Sequence, residues 1–374
     1  MAEVFSTRMP LTTESPGVSA GQWGPWGAEF PVMAGPCSVE SREQILATAH
    51  ALRSLPVHVV RGGVWKPRTR PGSFEGVGEV GLEWLREAAA EIGRPAAVEV
   101  GQARHVELAL THGIQFLWVG ARTTANPFLM EELAAALRGA DVPVLVKNPV
   151  SPDMSLWLGA IERLERAGLR RLIAVHRGFS VPESGRYRNA PLWRLALELR
   201  RHRPDIPLWC DPSHMAGRAD LVPEVASISL DLLYDGWMIE VHVDPAHAKS
   251  DAAQQLAPED LGAMLTTLRP RRRAPESADA RNRIEGLRHQ LDELDAQILN
   301  AVAARMEIVR KIAAIQKAHG VAVFQPDRWK ATLEKYRQAG LARGLPPEFL
   351  ESLYELLHEE ALRQKTEAQP DQLP

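Results

Sequence analysis

The sequence predicts an α/β protein: a closed (β/α)8 TIM barrel followed by a small all-α domain of three helices that forms a dimer. Three observations carry this reading. Eight short apolar runs, at residues 30–34, 57–60, 96–100, 116–119, 142–146, 172–175, 207–210 and 237–241, alternate with stretches of helical periodicity. That alternation is the pattern of a parallel sheet, and eight such units are the number that closes a barrel. Each run ends in a polar cluster, the phase expected when chemistry lies at the C-terminal ends of barrel strands. Beyond residue 283 the pattern becomes purely helical. An open doubly wound sheet is the alternative arrangement for the same alternation.

Bulk properties narrow the class further. With 374 residues the chain has room for one large and one small domain. Its 44 basic and 47 acidic residues nearly balance, so no global charge points to nucleic acid or to a membrane surface. The two cysteines, Cys37 and Cys210, are too few for a disulfide scaffold and fit a reducing cytosol. Neither the irregular segment 1–29 nor any later stretch holds an apolar run of signal-peptide or membrane-span length. The expected location is cytoplasmic.

In chain order, the first run leads into Gly35-Pro36-Cys37-Ser38, and Ser41 caps a helix through Ile45, Ala49 and Leu52. The second leads into Arg61-Gly62-Gly63-Val64-Trp65-Lys66-Pro67-Arg68-Thr69, where glycines let the backbone bend and a proline stiffens the exit. Arg there acts as a bidentate fork and Lys as a compact charge, both suited to phosphate or carboxylate. A helix over 79–91 precedes the third run. The fourth ends in Gly120-Ala121-Arg122-Thr123-Thr124, with Pro127 opening the next helix. The fifth ends in Lys147-Asn148-Pro149, the sixth in His176-Arg177-Gly178 and the seventh in Asp211-Pro212-Ser213-His214. The eighth carries Glu240 and is followed by His242. Cys210 is expected to point into the wall.

The barrel, 30–268, gives way to a basic, proline-containing linker over 269–282. It lacks the interleaved aromatics of a nucleic-acid site and reads as a solvated connector. In 283–366, apolar residues from Ile284 to Ile315 recur at three- and four-residue spacing, defining one helix of about 36 residues, ~54 Å long. Its stripe outruns anything a domain of that size can cover, so a homodimer built on it is expected. Shorter helices follow near 328–339 and 347–364, and 367–374 is a tail.

A closed barrel brings Cys37, His214, Glu240 and Asp251 to one rim. A thiol, an imidazole and two carboxylates suit a divalent transition metal such as Mn, Fe, Co or Zn. Arg61, Lys66, Arg68, Arg122, Lys147 and Arg177 bring six cations to the same rim. Each buried cation needs a partner, so the reading calls for more than one anionic group, as two phosphorylated substrates would supply.

These motifs resemble the type I-beta 3-deoxy-D-arabino-heptulosonate 7-phosphate (DAHP) synthases, which condense phosphoenolpyruvate with erythrose 4-phosphate. The resemblance implies that Arg61, Arg122, Lys147 and Arg177 hold phosphoenolpyruvate and that Lys66, Pro67, Arg68 and Thr69 hold erythrose 4-phosphate. It implies Cys37, His214, Glu240 and Asp251 as metal ligands, and Lys66 as the acid that protonates the nascent alkoxide. Many members have Ser where this chain has Arg70. The sister synthase of the eight-carbon sugar phosphate has an Ala-Asn-Arg-Ser run after the lysine, against which Pro67-Arg68-Thr69 argues.

Residues 283–366 are similar to the all-helical chorismate mutases. That resemblance implies a site for chorismate built on Arg288, Arg305 and Arg328. The first two lie 17 residues apart, about 25 Å along one helix, so Arg288 must come from the other protomer. The family's catalytic lysine is replaced by Gln316, with Lys317 beside it, and its Ser and Gln by Ala361 and Lys365. Gln316 and Lys365 read as an exchange that keeps one amide and one cation near the ether oxygen. The expectation is a bifunctional synthase and mutase. The alternative is a synthase alone, its helical domain serving dimerisation or feedback control.

Overall fold

The computed structural model describes residues 29–66, 72–182 and 185–367, with the backbone alone at 367. The chain divides into two compact units between Arg273 and Ala274. In the first, β1 (Val32–Gly35), β2 (Val59–Arg61), β3 (Ala96–Val100), β4 (Phe116–Val119), β5 (Val144–Lys147), β6 (Leu172–His176), β7 (Leu208–Cys210) and β8 (Gly236–Glu240) run parallel in sequence order. β1 also pairs with β8, Val32 opposite Trp237 and Gly35 opposite Glu240, which closes the barrel.

The intervening helices are α1 (Arg42–Leu52), α2 (Val80–Glu91), α3 (Ala103–Thr111), α4 (Ala121–Thr124), α5 (Pro127–Ala136), α6 (Met154–Arg166), α7 (Trp193–His202), α8 (Pro212–Ala216), α9 (Val222–Asp231) and α10 (Pro258–Thr267). Their starts follow from sequence. Ser41 accepts from the Gln44 amide at 3.1 Å, Asp153 from Leu156 at 3.0 Å, and Asn126 caps α5 with Pro127 in its first turn. Two strand ends depart from the apolar runs. Val57 and Val142 are buried but lie before their ladders, whereas Arg61 and Lys147 are charged and still belong to theirs. Hydrophobicity reports burial, and at these ends burial and pairing are offset.

Along every strand, side chains alternate between two cores. One set packs outward against the helices, including Val60, Leu117, Val146, Cys210 and Ile239, so Cys210 lies in the wall as expected. The other draws from all strands and fills the interior: Met33, Val59, Ala97, Phe116, Trp118, Leu145, Ile173, Val175, Trp209 and Met238. This plug supports the floor on which the functional rim stands.

The second unit holds α11 (Ala278–Ala318), α12 (Pro326–Leu341) and α13 (Pro347–Glu367). At 41 residues α11 exceeds the expected length of about 36, because Ser277 caps a polar first turn that apolar periodicity does not register. Its apolar stripe splits. Met306 and Val309 pack on Ala361 of α13, with Val302 and Leu357 beside them, whereas Leu291, Leu294 and Ile298 stay 58%, 54% and 61% exposed.

Candidate active site

The alternation that seals the barrel interior also builds the rim. Two positions beyond an interior residue, five chain segments deliver a polar side chain to the rim: Arg61 after Val59, Lys147 after Leu145, Arg177 after Val175, Asp211 after Trp209 and Glu240 after Met238. Gly35 occupies the equivalent place after Met33. A Cβ there would lie 2.1 Å from the Arg61 carbonyl oxygen, so glycine lets β1 and β2 approach.

Arg61 is 1% exposed and lies over the Trp118 ring at 4.7 Å. Its Nη2 donates to Glu240 Oε1 at 3.2 Å, while Nε and Nη1 are buried with no hydrogen-bond partner. A permanently charged fork with two buried open donors is a receptor for an oxyanion. Lys147 donates to Asp211 Oδ2 at 2.7 Å. Burial opposes the charge on Asp211, but His214 and Lys147 outweigh it and hold the carboxyl well below its usual range. Glu240 is likewise depressed, His214 and Arg61 prevailing over burial. These two carboxylates therefore neutralise two of the cations for which the sequence reading required anionic ligands.

Asp211 also receives His214 Nδ1–H, at 3.0 Å from Oδ1, which leaves Nε2 facing Glu240 Oε1 at 3.6 Å. This is the tautomer a metal-ligating histidine needs. Cys37 Sγ lies 3.4 Å from Asp251 Oδ2, and one atom each of Cys37, Glu240 and Asp251 lie within 4.8 Å of one another. Burial, then Glu240, pushes the Cys37 thiol up to about 12. A cation held by these groups would reverse that shift, because ligands bind deprotonated. Soft sulfur, imidazole nitrogen and two carboxylates fit a transition metal. Asp251 adopts φ +47°, a left-handed conformation uncommon outside glycine, which puts its carboxylate at the cluster.

Lys66 Nζ lies 3.3 Å from Cys37 Sγ. Burial opposes its charge, yet Cys37, Glu99 and Glu240 prevail and hold the ammonium above its usual value. Arg177 donates to Asn189 Oδ1 at 2.6 Å, and burial lowers it to about 10 with Arg188 and Arg122 nearby. Arg122 is exposed on α4. Pro67, Arg68 and Thr69 lie outside the described residues.

In the helical unit, Arg305 Nη1 donates to the Leu357 carbonyl at 2.9 Å. Gln316 is 7% exposed and donates to the Ala322 carbonyl at 3.1 Å, while Lys365 Nζ lies 3.5 Å from the next carbonyl, Val323. The amide and the ammonium thus meet at the loop between α11 and α12. Burial and Arg305 lower Lys365. Arg288 pairs instead with Glu285 at 3.2 Å on an exposed face, and one chain does not bring it to Arg305. Arg328 is exposed on α12. Sequence reasoning missed His358, which stacks on Trp329 at 4.0 Å beside Arg305 and Lys365. It also missed Arg188, Asn189, Gln254 and Gln255 in the barrel. Three of these four are neutral amides and all four lie off the strand ends, and neither class carries a sequence signal.

Comparison with known proteins agrees with this architecture. Residues 11–273 match the DAHP synthetase I family and residues 287–366 match chorismate mutase type II. The phospho-2-dehydro-3-deoxyheptonate aldolase of Thermotoga maritima is 36% identical over 227 residues, 61% of this chain and 65% of that protein, so the chain spans just under two thirds of that relative. A crystal structure of the Thermotoga maritima DAHP synthase superposes with TM-score 0.58 at 33% identity, covering 63% of this chain and 67% of that one. The 4-amino-4-deoxychorismate mutase of Streptomyces venezuelae is 32% identical over 82 residues, 22% of this chain and 80% of that protein. With eight parallel strands closed into a barrel and three helices beyond it, the chain belongs to the DAHP synthetase I family and carries a chorismate mutase type II domain after the barrel.

Proposed function

We propose that the barrel condenses phosphoenolpyruvate with erythrose 4-phosphate to DAHP, and that the helical unit rearranges chorismate to prephenate. Both are steps of aromatic amino acid biosynthesis. The observation that carries the first reading is that Glu240 is shared. It touches Arg61, whose open donors suit an oxyanion, and it belongs to the Cys37–Asp251 ligand cluster.

Arg61, Arg122, Lys147 and Arg177 hold phosphoenolpyruvate, and Lys66, Pro67, Arg68 and Thr69 hold erythrose 4-phosphate. Cys37, His214, Glu240 and Asp251 hold a Mn, Fe, Co or Zn ion, which when bound polarises the aldehyde as a Lewis acid. The cations orient phosphoenolpyruvate so that its C3 reaches the aldehyde carbon. Lys66, kept protonated despite burial, gives its proton to the nascent alkoxide. Water then adds at C2, and the C2–O bond breaks with its electron pair leaving on phosphate.

The mutase step needs no nucleophile, only cations for two carboxylates and donors to the ether oxygen. Arg305, Arg328, Gln316 and Lys365 serve from one chain and Arg288 from a second. A homodimer through α11 follows from its exposed Leu291, Leu294 and Ile298.

Chelation should abolish the condensation and Mn²⁺ should restore it. His214→Ala and Glu240→Ala should lose both bound metal and activity while circular dichroism stays native. Full condensation by verified metal-free protein would overturn the assignment.

A further inference from the structure

The metal cluster and the phosphoenolpyruvate cations belong to different strands, yet one dipeptide on the loop between β6 and α7 touches both. Arg188 Nη1 donates to Asp251 Oδ1 at 3.0 Å and to Gln254 Oε1 at 2.7 Å, and Gln254 Nε2 donates on to Glu240 Oε2 at 2.7 Å. The next residue, Asn189, accepts from Arg177 Nη1 at 2.6 Å and donates through Nδ2 to the His214 carbonyl at 2.7 Å. Three ligand-bearing residues and one phosphoenolpyruvate cation thus share a single two-residue hub.

The backbone is built to hold this hub. The Arg188 and Asn189 amides donate to the Ala216 and Met215 carbonyls, each at 3.2 Å, laying the dipeptide along the end of α8. Phe179 and Ala190 exchange backbone hydrogen bonds at 2.9 and 2.8 Å, pinning the loop at its base. Two glycines with positive φ make room. A Cβ at Gly217 would lie 2.3 Å from Arg188 Cβ, and one at Gly178 would lie 2.8 Å from the Asn189 carbonyl oxygen. Arg188 is half exposed, but Asn189 is 6% exposed and Gln254 1%.

We propose that Arg188 and Asn189 are positioning residues that couple metal binding to phosphoenolpyruvate binding. Ordering Asp251, Glu240 and His214 around an ion orders the hub, and the hub presets the Arg177 guanidinium for the anion. This rests on the reading of the barrel site given above.

The test is calorimetric titration of phosphoenolpyruvate into metal-free and Mn²⁺-loaded full-length protein, with Mn²⁺ binding followed separately by the paramagnetic signal of the free ion. In wild-type protein Mn²⁺ should tighten phosphoenolpyruvate binding ~5-fold or more, and phosphoenolpyruvate should tighten Mn²⁺ binding by the same factor, as linkage requires. Direct attraction between ion and anion supplies part of that factor in every variant. Arg188→Ala and the charge-neutral Asn189→Ala should each cut it by ~3-fold or more. If Asn189→Ala fails to fold, the half-exposed Arg188→Ala still decides the matter. An unchanged factor in the folded variants, or a wild-type factor of one with both ligands bound, overturns the coupling while leaving the site reading intact. Wild-type protein that binds neither ligand overturns the site reading itself.

Discussion

His176 illustrates how far burial moves one group. It is the last residue of β6 and alternates outward, away from neighbouring Arg177, into the rings of Trp157, Phe179, Trp193 and Tyr234. Tyr234 Oη lies 2.7 Å from Nδ1, and burial pushes the imidazole down to about 3 from an ordinary 6.5. Between those two values the unfolded chain binds a proton that the folded chain excludes. Stability contributed here is therefore complete above pH 6.5 and lost as pH falls toward 3, at up to ~1.4 kcal/mol per pH unit. His176→Gln should flatten the fall of urea stability between pH ~6.5 and ~5, and an unaltered slope would refute this account. In the helical unit, Lys365→Ala should reduce kcat for chorismate ~10²-fold, as loss of a transition-state donor does. Lys317→Ala should change it little, since Lys317 is turned ~100° from Gln316 round the helix. Full activity in Lys365→Ala, or none in the wild type, would make the helical unit a dimer-forming regulator instead.

Among elements, α11 shows what periodicity reads and what it does not. The stripe from Ile284 to Ile315 was legible in the sequence, as was the inference that a domain this size cannot cover it. Which turns face α13 was not legible. Met306 and Val309 are buried and Leu291, Leu294 and Ile298 exposed, though all share one spacing. The cause is that α13 reaches only part of a 41-residue helix. Leu291→Lys with Leu294→Lys should convert a dimer to monomers in sedimentation velocity. On the reading proposed above, in which a second copy supplies Arg288, it should also depress chorismate turnover. A wild-type monomer, or a dimer that survives both lysines, would count against pairing through α11. The strand ends carry a similar lesson. Arg61 and Lys147 continue their ladders as charged residues because the barrel mouth offers them Glu240 and Asp211.

For the whole molecule, the division between Arg273 and Ala274 predicts that the two chemistries separate. Protein comprising residues 1–273 should condense phosphoenolpyruvate with erythrose 4-phosphate, and residues 274–374 should turn over chorismate. Both would be measured against the intact chain at equal molarity. Loss of both activities on separation would show that the units depend on one another.

The sequence by itself determined the barrel, its strand count, the helical unit and the charged residues that close the strands. All of these are written in local periodicity: two residues along a strand, three to four along a helix. Only the tertiary structure decided which rim charges meet. Lys147 and Asp211 are 64 positions apart and Arg61 and Glu240 are 179 apart, and each pair forms because the barrel closes. The same holds for Asn189 between Arg177 and His214. An amide has no charge or periodicity to mark it, and its contacts exist only once the ends of β6 and β7 converge.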